Sequence, residues 1–173
     1  MPTWRMTIVT THQPTLHLVC GKIAAGKSTL CNRLAAAPAI LLVSEDSWMK
    51  RLYGPEMHSV EDYVRYSARF RDVMGPHIED VLRAGLSVVL DFPANTVATR
   101  QWMRGIFENA GVAHQLHYLK ASDALCRARM HARYARGEHE FLVTDKQFDL
   151  ITSYFAPPAQ SEGFNTIVYR ESD

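Results

Sequence analysis

Gly21-Lys22-Ile23-Ala24-Ala25-Gly26-Lys27-Ser28 is the stretch on which the reading of this chain turns. The spacing G-x-x-x-x-G-K-[ST] belongs to a loop whose backbone N–H groups wrap a phosphate chain. Its Lys reaches the β/γ-phosphates and its Ser hydroxyl joins a Mg2+. Gly21, Lys22, Ile23, Ala24, Ala25, Gly26, Lys27 and Ser28 are therefore candidate nucleotide contacts, with Ser28 also a candidate metal ligand. The pattern requires a buried strand before it and a helix after it. Leu16-His17-Leu18-Val19-Cys20 supplies a short, mostly apolar run, and residues 28–37 are helix formers with no breaker before Pro38. Leu30 and Leu34 share one face of that helix. The helix N-terminus adds partial positive charge to the N–H cradle. Thr29 offers a hydroxyl to an α-phosphate or, alternatively, to helix capping and packing.

Outward from the loop, strand and helix signals alternate. Ala39-Ile40-Leu41-Leu42-Val43 is a continuous apolar run that ends in Ser44-Glu45-Asp46, the pattern of a buried parallel strand with polar residues at its carboxyl end. Residues 48–58 are mixed, with a turn signal at Tyr53-Gly54-Pro55. Residues 60–84 read as a helix with a break near Gly75-Pro76 and Gly85 as its cap. Leu86-Ser87-Val88-Val89-Leu90 is a third strand ending at Asp91, and residues 97–110 are a helix closed by Gly111. Residues 112–119 read as a strand. Ser122-Asp123 caps a helix towards Arg136 stopped by Gly137, residues 144–155 form another, and residues 166–169 a last strand. Such alternation predicts an α/β fold: one domain over residues 1–173 in three layers, with a parallel sheet of about five strands, an N-terminal arm over 1–14 and a helical lid over 121–140. Ligands of such sheets bind beyond the carboxyl ends of the strands.

Composition narrows the partners. The chain has 173 residues, 47% hydrophobic and 21% charged, with a net charge of +1. A near-neutral chain lacks the global field that gathers long nucleic acid or an anionic membrane, so a small-molecule partner is expected. No apolar stretch approaches the length of a membrane span, and the first residues lack the apolar region of a signal peptide. The three scattered cysteines, Cys20, Cys31 and Cys126, have no zinc spacing and suit reduced thiols in a cytoplasmic protein. The pattern assigns no oligomeric state.

Several side chains could serve phosphoryl chemistry. Lys27 is a point charge for the β/γ-phosphates. Asp46, at a strand end next to the loop, is the candidate base for an acceptor hydroxyl; its alternative is a helix N-cap, and Glu45 competes for the same role. Asp91 ends an apolar run shaped like a Walker B strand, whose Asp holds Mg2+; binding the acceptor, or turning the chain before Pro93, are its alternatives. Phe92 follows it, so the Asp-Glu pair of ATP-hydrolysing motors is absent, as is any N-K-x-D guanine signature. Arg127, Arg129, Arg133 and Arg136 lie on one predicted helix, the last three at i, i+4, i+7 on one face. An anion would relieve their repulsion, as would salt bridges to Glu138, Glu140 or Asp123. Asn95 and Arg100 are candidate substrate contacts, and Trp48, Tyr53, Tyr63, Tyr66 and Phe70 either line an acceptor pocket or pack a helical subdomain.

Taken together, residues 20–30, Ser44-Glu45-Asp46, the run from Val88 to Thr96 and the Arg-rich helix resemble one group of small P-loop kinases. The group includes zeta-toxin-type kinases, chloramphenicol phosphotransferase and the kinase domain of polynucleotide 5′-kinase; many bacterial members are known as AAA-family ATP-binding proteins. The resemblance spans about residues 16–169. It implies a five-stranded parallel sheet, ATP as donor and Mg2+ as cofactor. It aligns Asp46 with the acceptor-activating Asp, Asp91 with the residue near acceptor and metal, and Arg129 or Arg133 with the lid arginine. Members often carry a basic residue three positions after the catalytic Asp; here that position is Met49, with Lys50 and Arg51 beyond. The expected activity is transfer of the ATP γ-phosphate to a hydroxyl of a small-molecule or nucleotide acceptor. The alternative is a nucleotide-binding regulator or toxin-like NTPase without such an acceptor.

Overall fold

The apolar runs become five parallel strands in a computed structural model, which describes residues 12–135 and 143–171. They are β1 (Thr15–Cys20), β2 (Ile40–Ser44), β3 (Ser87–Pro93), β4 (Ala113–Lys120) and β5 (Thr166–Arg170), in the order β2-β3-β1-β4-β5. Between them run α1 (Lys27–Ala35), α2 (Glu45–Tyr53), α3 (Val60–Arg83), α4 (Val97–Ala110), α5 (Asp123–Ala135) and α6 (Asp145–Ser153). The period-2 alternation of the strands sorts the core into layers. Leu16, Leu18 and Cys20 of β1 pack with Val88 and Leu90 of β3 against Phe70, Met74, Ile78 and Leu82 of α3 and Met103 and Ile106 of α4. On the opposite face, Val19 and Val89 meet Cys31 and Leu34 of α1. The expected α/β architecture, an all-parallel sheet with helices on both faces, is the one observed.

A third cluster concerns function. Ala24 and Ala25 of the loop pack with Cys126 and Met130 of α5 and Phe148 of α6. Apolar contact thus seats the base of the arginine-bearing helix on the loop. Side chains cap several helices, at Ser122 as the sequence predicts. Thr96 accepts from the Thr99 N–H, Ser122 accepts from the Leu125 N–H, and Thr144 forms a reciprocal capping box with Gln147.

Two expectations change. α3 runs unbroken through Gly75-Pro76, because the buried line Phe70, Met74, Ile78, Leu82 continues on both sides of the proline and holds the helix to the core. The stretch after β2 is helical at once: Glu45 and Asp46 form the first turn of α2. Residues 1–11 of the expected arm, and Arg136, Gly137, Glu138 and Glu140 of the expected lid, lie outside the described residues. Among the described residues, no helix is long and apolar enough to cross a membrane.

The sheet also carries a buried histidine pair. His17 Nδ1 lies 3.1 Å from His117 Nε2, and His117 Nδ1 lies 2.8 Å from the Tyr169 hydroxyl. Burial, and then His17, lower the His117 pKa to about 4. A histidine held neutral in the fold contributes stability that is complete above its unfolded pKa near 6.5 and is lost as pH falls through about 4. Wild type should therefore lose up to about 3 kcal/mol more than His117→Gln between those pH values. Urea unfolding at a series of pH values reads this, and parallel pH profiles would contradict it.

Candidate active site

The phosphate loop is held from outside before any ligand binds. The Gly21 N–H donates to Asn95 Oδ1 at 3.0 Å, and a Cβ at Gly21 would meet the Leu119 carbonyl at 3.0 Å, so only glycine fits there. Gly26 takes φ +103°, the left-handed turn that feeds α1. Lys27 Nζ crosses the loop and donates to the Gly21 carbonyl at 2.8 Å and the Lys22 carbonyl at 2.9 Å. Burial lowers the Lys27 pKa, while the carboxylate of Asp91, and more weakly that of Asp46, oppose the shift. A phosphate chain would give this ammonium a full countercharge where it now has two carbonyls. Ser28 and Thr29 are exposed in the first turn of α1, at its positive end.

The side chain of Lys22 turns towards α5. Its ammonium forms an ion pair with Asp123, the first residue of α5. Its carbonyl accepts from Lys27 and from the Ala25 N–H. Its side chain therefore ties the loop to the start of α5.

The acidic side lies over β2 and β3. Ser44 and Asp91 are register partners, so the carboxyl ends of the two strands lie side by side. Asp91 Oδ1 accepts from the Cys31 thiol at 3.6 Å. Burial separates the two neighbouring carboxylates. Glu45 is 0% exposed, and its Oε1 accepts from Arg71 Nε at 2.9 Å and Ser67 Oγ at 3.4 Å. Burial raises its pKa, against the pull of the Arg71 guanidinium. Glu45 thus pins α2 to α3, while Asp46 is exposed and lies inside the helix, the N-cap position falling to Ser44. The aromatic side chains here mainly pack on one another: Tyr53 stacks on Tyr66 at 4.5 Å and Phe70 on Phe92 at 5.9 Å, leaving Trp48 and Tyr63 exposed.

The arginines divide between tasks. Arg129 Nη1 donates to the Ala25 carbonyl at 3.0 Å, which ties α5 to the loop. Arg129 and Arg133 line a cavity of about 430 Å³ with Gly26, Thr29, Leu119 and Tyr169. Arg127 turns away: it pairs with Asp145 and Asp149 and covers the Phe148 ring, joining α5 to α6.

Asn95 and Arg100 are corrected. Asn95 supplies its side-chain oxygen to Gly21 and its carbonyl to the Ala156 N–H, so it braces the loop. Arg100 is 0% exposed; it pairs with both oxygens of Glu162 and donates to the Ala94 and Ala156 carbonyls, each at 2.9 Å. Glu162 and Ala156 lie far from it in sequence, so only the tertiary structure reveals the brace. With its guanidinium so committed, Arg100 is a structural tie and not a substrate contact. Arg100→Ala strips Glu162 of its buried cation and two carbonyls of a donor, and should cost about 3–5 kcal/mol. Urea unfolding reads that loss; a change under about 1 kcal/mol would contradict the assignment.

The family model described as an AAA domain matches residues 16–158. No curated protein matches the chain. A solved structure from Chloroflexus aurantiacus, provisionally described as a kinase, is 20% identical with a TM-score of 0.72, over 93% of this chain and 87% of that one. Kti12 of Chaetomium thermophilum, solved with ADP-AlF3, is 15% identical with a TM-score of 0.66, over 91% and 88%. The Mycobacterium tuberculosis APS kinase, solved with AMPPNP and APS, is 14% identical with a TM-score of 0.57, over 94% and 91%. The fold is that of the small P-loop kinases.

Proposed function

This chain belongs to the AAA-domain family, and we propose that it is an ATP-dependent kinase that moves the γ-phosphate onto a hydroxyl of a small-molecule or nucleotide acceptor. One observation carries the reading: Lys27 sits inside the loop within the electrostatic reach of both Asp91 and Asp46, and Arg129 approaches the same loop from the lid. Donor cradle, acid side and lid cation thus converge on one place.

The backbone N–H groups of residues 21–28 would hold the β-phosphate, and Lys27 would bridge to the γ-phosphate. The acceptor oxygen forms a bond to the γ-phosphorus as the bond from that phosphorus to the bridging oxygen breaks, and the pair of that bond leaves with ADP. Asp46, exposed at the strand end, takes the acceptor's proton. Arg129 and Arg133 offset charge on the transferring group, after Arg129 exchanges the Ala25 carbonyl for a phosphate oxygen. The Ser28 hydroxyl and Asp91 carboxylate are hard oxygen donors beside the loop, which fits a Mg2+ that keeps phosphate and water as its other ligands. When bound, Mg2+ neutralises phosphate charge and orients the chain. The family match covers residues 16–158, and three buried free thiols go with a cytoplasmic location.

The test is a screen with γ-labelled ATP and Mg2+ against nucleosides, sugars, aminoglycosides, chloramphenicol and oligonucleotide 5′-ends. Label on one organic acceptor class, lost on chelation, is the expected result. Label released only as inorganic phosphate with every acceptor would overturn the kinase reading in favour of a nucleotide-binding regulator.

A further inference from the structure

Two cations face each other at the end of the β4–β5 ladder. Lys120 and Arg170 are register partners, so their side chains leave the sheet on the same face. Like charges directly opposite one another are destabilising. Neither has an acidic partner among the described residues; the nearby Glu171 accepts from the Ser122 N–H, and Asp123 is paired with Lys22. The two cations border a cavity of about 740 Å³ that also reaches Lys22. Tyr118 and Phe155, with ring centroids 6.3 Å apart, and Pro157 give it an apolar wall. Thr152 lines it as well, and its Oγ1 is buried with no hydrogen-bond partner.

The position separates this cavity from the one beside Arg129. Tyr118 and Phe155 belong to the core shared with α3 and α4, whereas the cavity at Arg129 opens beside Thr29 and Leu30 of α1. Asp46 and Asp91 lie over β2 and β3, across β1 from Lys120 and Arg170. A molecule held here would not be the acceptor activated by Asp46.

We propose that this cavity is a second anion site, which binds a small phosphorylated molecule with a flat apolar body and is distinct from the donor loop. Lys120 and Arg170 take the phosphate, which removes their mutual repulsion. Tyr118, Phe155 and Pro157 cover the body. Lys22, which lines the cavity and belongs to the loop, connects the two sites.

The probe is adenosine 5′-monophosphate, titrated calorimetrically into the chain already saturated with AMPPNP and Mg2+. A second saturable binding event is expected, weakened about tenfold or more in Lys120→Gln/Arg170→Gln. AMPPNP affinity in that variant should stay within about twofold of wild type, which also verifies its fold. No second event, an event the double substitution leaves unchanged, or a parallel loss of AMPPNP binding would each overturn the proposal. If AMPPNP itself does not bind wild type, the kinase reading fails, and the same titration without it still tests this site.

Discussion

Lys27→Ala is expected to erase the response of the chain to nucleotide. In wild type, a nucleotide at about 100 times its Kd adds about 2.7 kcal/mol of stability by mass action. For a chain of 173 residues that corresponds to about 5–10 °C in Tm. The variant should show no shift at the same concentration, and kcat/KM for ATP should fall by at least about 100- to 1,000-fold. The reason is geometric. The ammonium sits among backbone N–H groups, satisfied for now by the Gly21 and Lys22 carbonyls. Removing it forfeits two hydrogen bonds in the empty loop but the main countercharge of a bound triphosphate. Without nucleotide, the Tm of the variant should therefore differ little from that of wild type. Scanning fluorimetry with and without ATP separates the two effects; a full nucleotide shift in Lys27→Ala would refute the loop assignment.

Asp46→Asn should leave nucleotide binding intact and slow transfer about 100- to 10,000-fold. The substitution preserves size and removes the proton acceptor. Asp46 is exposed, so the change should not unfold the chain, whereas Glu45→Gln disturbs a buried ion pair and should act through stability. That contrast distinguishes the adjacent carboxylates. Single-turnover kinetics with ATP held saturating measures the chemical step; undiminished transfer in Asp46→Asn would remove it as base.

Much of this was legible in the residues, because the informative signals were local. The loop, the apolar runs and the cap at Ser122 each act within a few positions of themselves, and each is found where the pattern put it. What escaped depends on partners far along the chain. Glu45 is drawn inward by Arg71 on α3, which makes helix of a stretch that reads as the end of a strand. Arg100 is claimed by Glu162, and Asn95 by the loop. The α5 arginines lie on one helix, yet Arg127 pairs with Asp145 and Asp149 of α6 while Arg129 reaches the loop, a division that only the tertiary contacts show. The Lys120–Arg170 opposition had a readable component, since each directly follows a predicted strand, but strand order and register were needed to bring them together.

The central claim is that loop, Asp46 and Arg129 form one phosphoryl-transfer site. A crystal structure of the chain with ADP, aluminium fluoride and Mg2+ tests it most directly. The account predicts the fluoride group bonded to Lys27 Nζ and the Arg129 guanidinium, with the Asp46 carboxylate facing its open side. ADP bound away from residues 21–28, or a fluoride group whose open side faces away from Asp46, would contradict it.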